Sequence, residues 1–190
     1  MGNLFGAPHA GVEGRVLLVG LAGTNVQALG HRLTCGSEVS DLTTADLEEM
    51  TPTGGSGTLV TNAHGVLVSF WAPKSGEQTR KLWRHFYKNA DAVVLLVAGG
   101  CEYGDELDSV WTELTTAKEL KGKELMVAVD AEGCQVAGTV NPSKRVAPAK
   151  LTQLGMHKDQ MVRVDGTTGE GMETLLEELC YIIKERRKGK

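Results

Sequence analysis

One stretch of this chain has the residue order that could grip a phosphate. The apolar run Val16–Leu17–Leu18–Val19 ends at Gly20 and passes through Leu21–Ala22–Gly23–Thr24 into a helical pattern from Asn25. Strand, Gly-containing turn and helix, in that order, are the setting of a phosphate loop. Its pattern, G-x-x-x-x-G-K-[ST], supplies backbone amides, an ammonium and a hydroxyl. Counted from Gly20, the three decisive positions are Asn25, Val26 and Gln27. Asn25 adds a side chain where the backbone must approach phosphate closely. Val26 brings no ammonium to the β- and γ-phosphates, and Gln27 replaces the hydroxyl that would hold Mg²⁺. The setting is present and its chemistry is missing.

The other reactive side chains are scattered. Cys35, Cys101, Cys134 and Cys180 form no CxxC pair, and the five histidines (His9, His31, His64, His85, His157) are equally dispersed. A zinc site needs closely spaced ligand pairs, so none is expected, and the thiols are expected to be reduced in an intracellular protein. The 20 basic and 24 acidic residues leave a net charge of −4, which argues against nucleic acid as a partner. No apolar run approaches the roughly 20 residues of a membrane span. The first ten residues hold no Arg or Lys, so neither a secretory signal nor an Arg-rich transit peptide is expected.

The elements that must position these residues follow from periodicity. Strands are expected at Arg15–Val19, Thr58–Thr61, Val66–Trp71, Ala92–Val97, Glu124–Val129 and Met161–Val164, with a turn around Asn62–Gly65 joining the second to the third. Helices are expected at Asn25–Thr34, Gln78–Asn89, Asp105–Leu120 and Gly171–Arg187. In the last, Met172, Leu175, Leu176, Leu179 and Ile183 keep the spacing of one apolar face. Alternating strands and helices imply an α/β sandwich with a mostly parallel sheet. One domain over residues 15–190 is expected, preceded by an arm over residues 1–14. Ser37–Gly57 and Gly133–Ala149 read as long loops, of the kind that are usually functional or mobile.

Several segments together resemble the Arf family of small GTPases. Leu82–Trp83–Arg84–His85–Phe86–Tyr87 is similar to the Leu-Trp-Arg-His-Tyr stretch on the helix after that family's second switch. Met1–Gly2–Asn3–Leu4–Phe5 looks like its amino terminus, which is myristoylated on the glycine. Pro52–Thr53 lies nineteen residues before Trp71, as the family's Pro-Thr lies before its Trp-Asp, and Thr167–Thr168–Gly169–Glu170–Gly171 resembles its last nucleotide loop. The resemblance implies a Ras-like P-loop GTPase fold, with a mostly parallel sheet of about six strands flanked by helices.

The departures fall on the chemistry. Where the family has Asp-Val-Gly-Gly-Gln, this chain has Ala72, Pro73, Lys74, Ser75 and Gly76. Against the family pattern, the metal-linked aspartate is therefore Ala72 and the water-orienting glutamine is Gly76. Asp130, Ala131, Glu132 and Gly133 stand where Asn-Lys-x-Asp would read guanine, and only Thr53 survives of the metal shell. Charge-assisted hydrogen bonds contribute about 1.5–3 kcal/mol each, so these losses remove on the order of 6–10 kcal/mol. A nanomolar to picomolar site holds about 12–16 kcal/mol, which leaves at best a micromolar to millimolar one.

The expectation is a pseudo-GTPase with no catalytic or metal residues and no resident GTP, GDP or Mg²⁺. It would act as a scaffold or adaptor subunit in a larger protein assembly. The alternative is a regulatory switch that binds a nucleotide or anion weakly through the amides at the start of Asn25–Thr34. An active GTPase is the least favoured reading. Gly2 is a lipidation candidate, although Gly6, Pro8 and Gly11 interrupt the amphipathic helix that should follow. The basic tail Lys184, Arg186, Arg187, Lys188 and Lys190 reads as a solvated helix end or as a second membrane signal. Trp83, Arg84, Phe86 and Tyr87 are the candidate partner surface. Leu82, Trp83, Phe86 and Tyr87 form an aromatic stripe at helical spacing, which reads as core more readily than as interface. By resemblance the chain is expected at the cytosolic face of a membrane, with an accessory subunit of a mitochondrial membrane complex as the alternative.

Overall fold

The computed structural model describes residues 11–21, 24–35, 56–73, 77–99, 103–130, 152, 155–165 and 168–189. Six strands form one sheet: β1 (Val12–Gly20), β2 (Ser56–Ala63), β3 (Val66–Pro73), β4 (Ala92–Ala98), β5 (Glu124–Asp130) and β6 (Met161–Val164). Their order is β2-β3-β1-β4-β5-β6, and only β2 runs antiparallel to its neighbour. The helices are α1 (Val26–Cys35), α2 (Glu77–Tyr87), α3 (Asp105–Thr116) and α4 (Met172–Lys188).

The central strands explain the layering. Every residue of β4 is buried, as are the last five of β1. Side chains alternate across a strand, so these runs feed two cores. Val16, Leu18, Val94 and Leu96 join α1 and α4 on one face. Leu17, Val19, Val93 and Leu95 join α2 and α3 on the other. A strand buried on both faces has to read as a continuous apolar run, as these do.

The turn between β2 and β3 is two residues long, with His64 at φ 48° and Gly65 at φ 73°. Positive φ at both central positions is the primed geometry whose twist suits a hairpin. At the other end of the chain, Gly171 has φ 76°, and a Cβ there would collide with the carbonyl oxygen of Arg163. Only glycine lets α4 start that close to β6.

Three expectations are corrected. β1 begins at Val12, so residues 12–14 belong to the sheet and not to an arm; they pair with Val66, Leu67 and Val68. Gly14 hid this from the sequence, since it interrupts the apolar run, and the absence of a side chain there makes room for Ile183. The third helix stops at Thr116, because Ala117 turns extended (ψ 121°) before a separate 3-10 turn at Lys118–Leu120. The basic tail is also not simply solvated. Arg187 donates from Nε to the Glu13 carbonyl (3.1 Å) and from Nη2 to Asp91 Oδ2 (3.0 Å), while Arg186 Nη1 donates to the Gly122 carbonyl (3.0 Å).

Asp91 is the centre of that clamp. It is only 5% exposed and accepts the Arg15 backbone N–H at 3.0 Å, while its own N–H donates to the Arg15 carbonyl at 2.7 Å. Arg186 Nε stands 3.6 Å from Oδ1, an ion-pair distance too long for a hydrogen bond. Replacing Asp91 with Ala removes the acceptor of the Arg15 N–H and the carboxylate that faces Arg186 and Arg187. The expected cost is about 2–4 kcal/mol, read as a lower denaturation midpoint at unchanged slope; an unchanged midpoint would refute the clamp.

Candidate functional site

The turn after β1 closes on itself. Thr24 donates to the Leu21 carbonyl from both its backbone N–H (3.1 Å) and its hydroxyl (2.7 Å). Asn25 then caps α1: its Oδ1 accepts the Ala28 backbone N–H at 2.9 Å. A side-chain cap satisfies one of the free amides of a helix start, and those amides are what an anion at a helix N-terminus would use. Here one of them already has its partner.

The next residue turns away from any ligand. Val26 is 1% exposed and Ala72 is fully buried, and both belong to the same apolar cluster as Leu29, Leu33 and Phe70. Both side chains are therefore part of the hydrocarbon core. Gln27 is half-buried and its amide nitrogen makes no hydrogen bond. Asp130 ends β5, where its carbonyl accepts the Gly99 N–H at 2.7 Å. Tyr103 lies near both strand ends, accepting the Ala98 N–H on its hydroxyl at 2.8 Å, and burial pushes that phenol up to about 12. Thr53, Gly76, Gly133 and Gly2 lie outside the described residues, as do most of the two long loops.

The aromatic stripe divides. Trp83 (2% exposed) and Tyr87 (fully buried) are core residues packed with Leu107, Val110 and Leu114, which corrects their placement on a partner surface. Arg84 is exposed and Phe86 half-buried. Helical spacing turns positions 83 and 87 toward the sheet and leaves Leu82, 47% exposed, on the outside. Phe86 packs on Trp71 with ring centroids 5.2 Å apart and planes at 50°, and the Arg15 guanidinium lies 5.8 Å from the Trp71 ring centre.

A second constellation escaped the sequence reading. Arg80, Arg84 and Tyr87 follow i, i+4, i+7 spacing on α2 and converge on Glu113 of α3. Arg80 Nε donates to Oε2 at 2.7 Å; Arg84 Nε and the Tyr87 hydroxyl donate to Oε1 at 3.0 and 3.3 Å. Arg80 also reaches the Ser109 carbonyl at 2.8 Å. The spacing on α2 is visible in the sequence, but its target lies on another helix and nothing local names it. Burial raises the Tyr87 phenol well above its ordinary value, with the Glu113 charge adding to it. Burial also pushes Glu113 up, yet the hydrogen bonds and charges of Arg84 and Arg80 outweigh it, and the carboxyl sits below its ordinary 4.5. Among the described residues there is no group of three or more side chains able to hold a metal ion, and no helix is long and apolar enough to cross a membrane.

Five parallel strands with one antiparallel edge, flanked by helices on both faces, with a phosphate-loop setting after β1, define the small GTPase fold. The ADP-ribosylation factor family model matches residues 9–183. This chain belongs to that family. It is 27% identical over 126 residues to ADP-ribosylation factor J of Dictyostelium discoideum, covering 66% of this chain and 62%, less than two thirds, of that protein. It is 26% identical to ADP-ribosylation factor D of the same organism, over 93% of this chain and 77% of that one. With ADP-ribosylation factor-like protein 1 of Drosophila melanogaster it shares 24% identity over 92% of both chains.

The Glu113 cluster generates a pH test. A carboxyl held below its unfolded value contributes stability that is present above pH 4.5 and lost as pH falls through the folded value. Glu113→Gln should lower stability by about 1–3 kcal/mol at pH 7. The gap between variant and parent should narrow below pH 4.5, as read from denaturant midpoints at several pH values. A gap independent of pH would mean that packing, and not charge, carries the effect.

Proposed function

We propose that this chain is a non-catalytic member of the ADP-ribosylation factor family, a pseudo-GTPase that works by binding other proteins. The observation that carries the reading is the burial of Val26 and Ala72 in one apolar cluster. These positions would hold the phosphate-binding ammonium and the metal-linked carboxylate of a working site, and neither side chain can reach a ligand. The Asn25 cap on the Ala28 amide supports the same reading. So do Gln27 in place of a hydroxyl, and Gly76 and Gly133 in place of the water-orienting and guanine-reading residues of the family pattern.

The proposed working surface lies on α2, β3 and β1. It consists of Leu82, Arg84, the half-buried Phe86–Trp71 pair and Arg15 over the Trp71 ring. Aromatic and Arg side chains around an exposed apolar residue are the composition of protein-binding patches. An adaptor or scaffold subunit at the cytosolic face of a membrane, with Gly2 lipidated, is the form this takes in the family setting. The regulatory-switch reading needs a weak nucleotide or anion site at α1, and the first experiment decides between them.

Thermal unfolding with GTP or GDP and Mg²⁺ should show no shift in midpoint. A ligand at 100 times its dissociation constant stabilises by about 2.7 kcal/mol, a rise of roughly 5–10 °C at this size, and such a rise would overturn the proposal. Val26→Lys should fail to create binding and should cost about 2–4 kcal/mol, because it forces an ammonium into core. For the surface, Leu82→Ala should weaken capture of native partners at unchanged stability. Trp83→Ala should instead lower stability by about 3–5 kcal/mol; the opposite pattern in a pull-down and melting comparison would place the interface elsewhere.

A further inference from the structure

The two edges of the sheet are built differently. β6 is four residues long and carries the exposed charge of Arg163, features that blunt an edge against pairing. β2 is eight residues long, and among the described residues it pairs only with β3. Its register is unbroken from Ser56↔Pro73 to Ala63↔Val66, so no bulge twists it away. Its sequence, SGTLVTNA, contains no charge and no proline. Thr58, Val60 and Asn62 are exposed, Val60 to 49%. A long, unbulged, uncharged edge is a template for another strand.

We propose that β2 pairs antiparallel with β2 of a second copy of this chain, about a two-fold axis through Val60. The strand is self-complementary in that register. Val60 meets Val60 of the second copy, Thr58 meets Asn62, and Leu59 meets Thr61, each pair on one face of the joined sheet. β-Branched pairs and short hydrogen-bonding pairs favour cross-strand contact, and no like charges oppose it. The assembly also closes. Among the described residues, pairing uses both β2 edges and leaves only the two blunted β6 edges outside, so the two-fold contact ends at a dimer. One strand pair is a small contact, of the weak or transient class. The pairing requires no nucleotide, so it stands or falls separately from the proposed function.

Light scattering of the purified chain should show a mass near 20.3 kDa when dilute, rising toward twice that at about 100 μM. Val60→Lys sets two ammonium groups on the axis and should weaken association at least about tenfold at an unchanged melting midpoint. Tyr181→Lys, at the exposed aromatic of α4, should leave association unaltered. In the unaltered chain, amide exchange over residues 58–62 should slow as concentration rises, a readout that does not depend on the variant folding. A chain that stays at 20.3 kDa throughout overturns the proposal. So does equal dispersal by Tyr181→Lys, or a foreign protein released by Val60→Lys while the chain alone is monomeric.

Discussion

The approach of α1 to the sheet is the constraint on which the rest of the site depends. A Cβ on Gly30 would lie 2.8 Å from Leu59 Cδ1, 3.3 Å from Leu18 Cδ1 and 3.8 Å from the Ala72 Cβ. The helix therefore presses onto β1, β2 and β3 where it has no side chain of its own to hold it off. That depth sends Val26, Leu29 and Leu33 into the core with Ala72. It also fixes the start of the helix, so Asn25 sits where its carboxamide closes on Ala28. Core packing at native density tolerates little change in volume, and a charged pair in place of Val26 and Ala72 would need both space and solvation. The burial of Val26 and Ala72 and the close packing of α1 are thus one structural fact seen from two sides.

Much of this was legible in the sequence, for a physical reason. Strands β1, β4 and β5 are buried on both faces and must be apolar runs. α4 must repeat its apolar residues at 3–4 spacing, and Met172, Leu175, Leu176, Leu179 and Ile183 are all buried as that spacing requires. The strand, turn and helix running from Val16 to Thr34 could be read because the apolar run stops at Gly20 and helical spacing follows. What escaped was long-range. Asp91 joins Arg15 and Arg187 across 76 and 96 residues, and Glu113 gathers donors from α2 across 26 to 33 residues. No periodicity encodes a carboxylate whose partners lie on other elements. Gly14 misled because an interruption in an apolar run looks the same whether it ends a strand or admits Ile183.

The aromatic stripe shows the same limit at shorter range. Leu82, Trp83, Phe86 and Tyr87 all read as one apolar motif, yet α2 sorts them between core and surface. The larger rings of Trp83 and Tyr87 go inward, and Leu82 is left out. Hydrophobicity alone does not give the direction. The helix phase does, and Arg80 and Arg84 fix it by holding α2 against Glu113.

The distribution of charge along the strands completes the argument. Ligands of open parallel sheets bind beyond the carboxyl ends of the strands, which is where β1 and β3 of this chain deliver Val26, Ala72 and the self-closed turn. At the amino ends lies the ionic clamp, where Asp91, Arg186 and Arg187 tie the last turn of α4 to the starts of β1, β4 and β5. A protein that binds a ligand tightly gains stability from it by mass action. Removing one partner of a buried ion pair is costly, whereas replacing the whole pair by hydrocarbon is often neutral or stabilising. An apolar floor at the carboxyl end with an ionic clamp at the amino end is an arrangement in which contacts within the chain support both ends of the sheet.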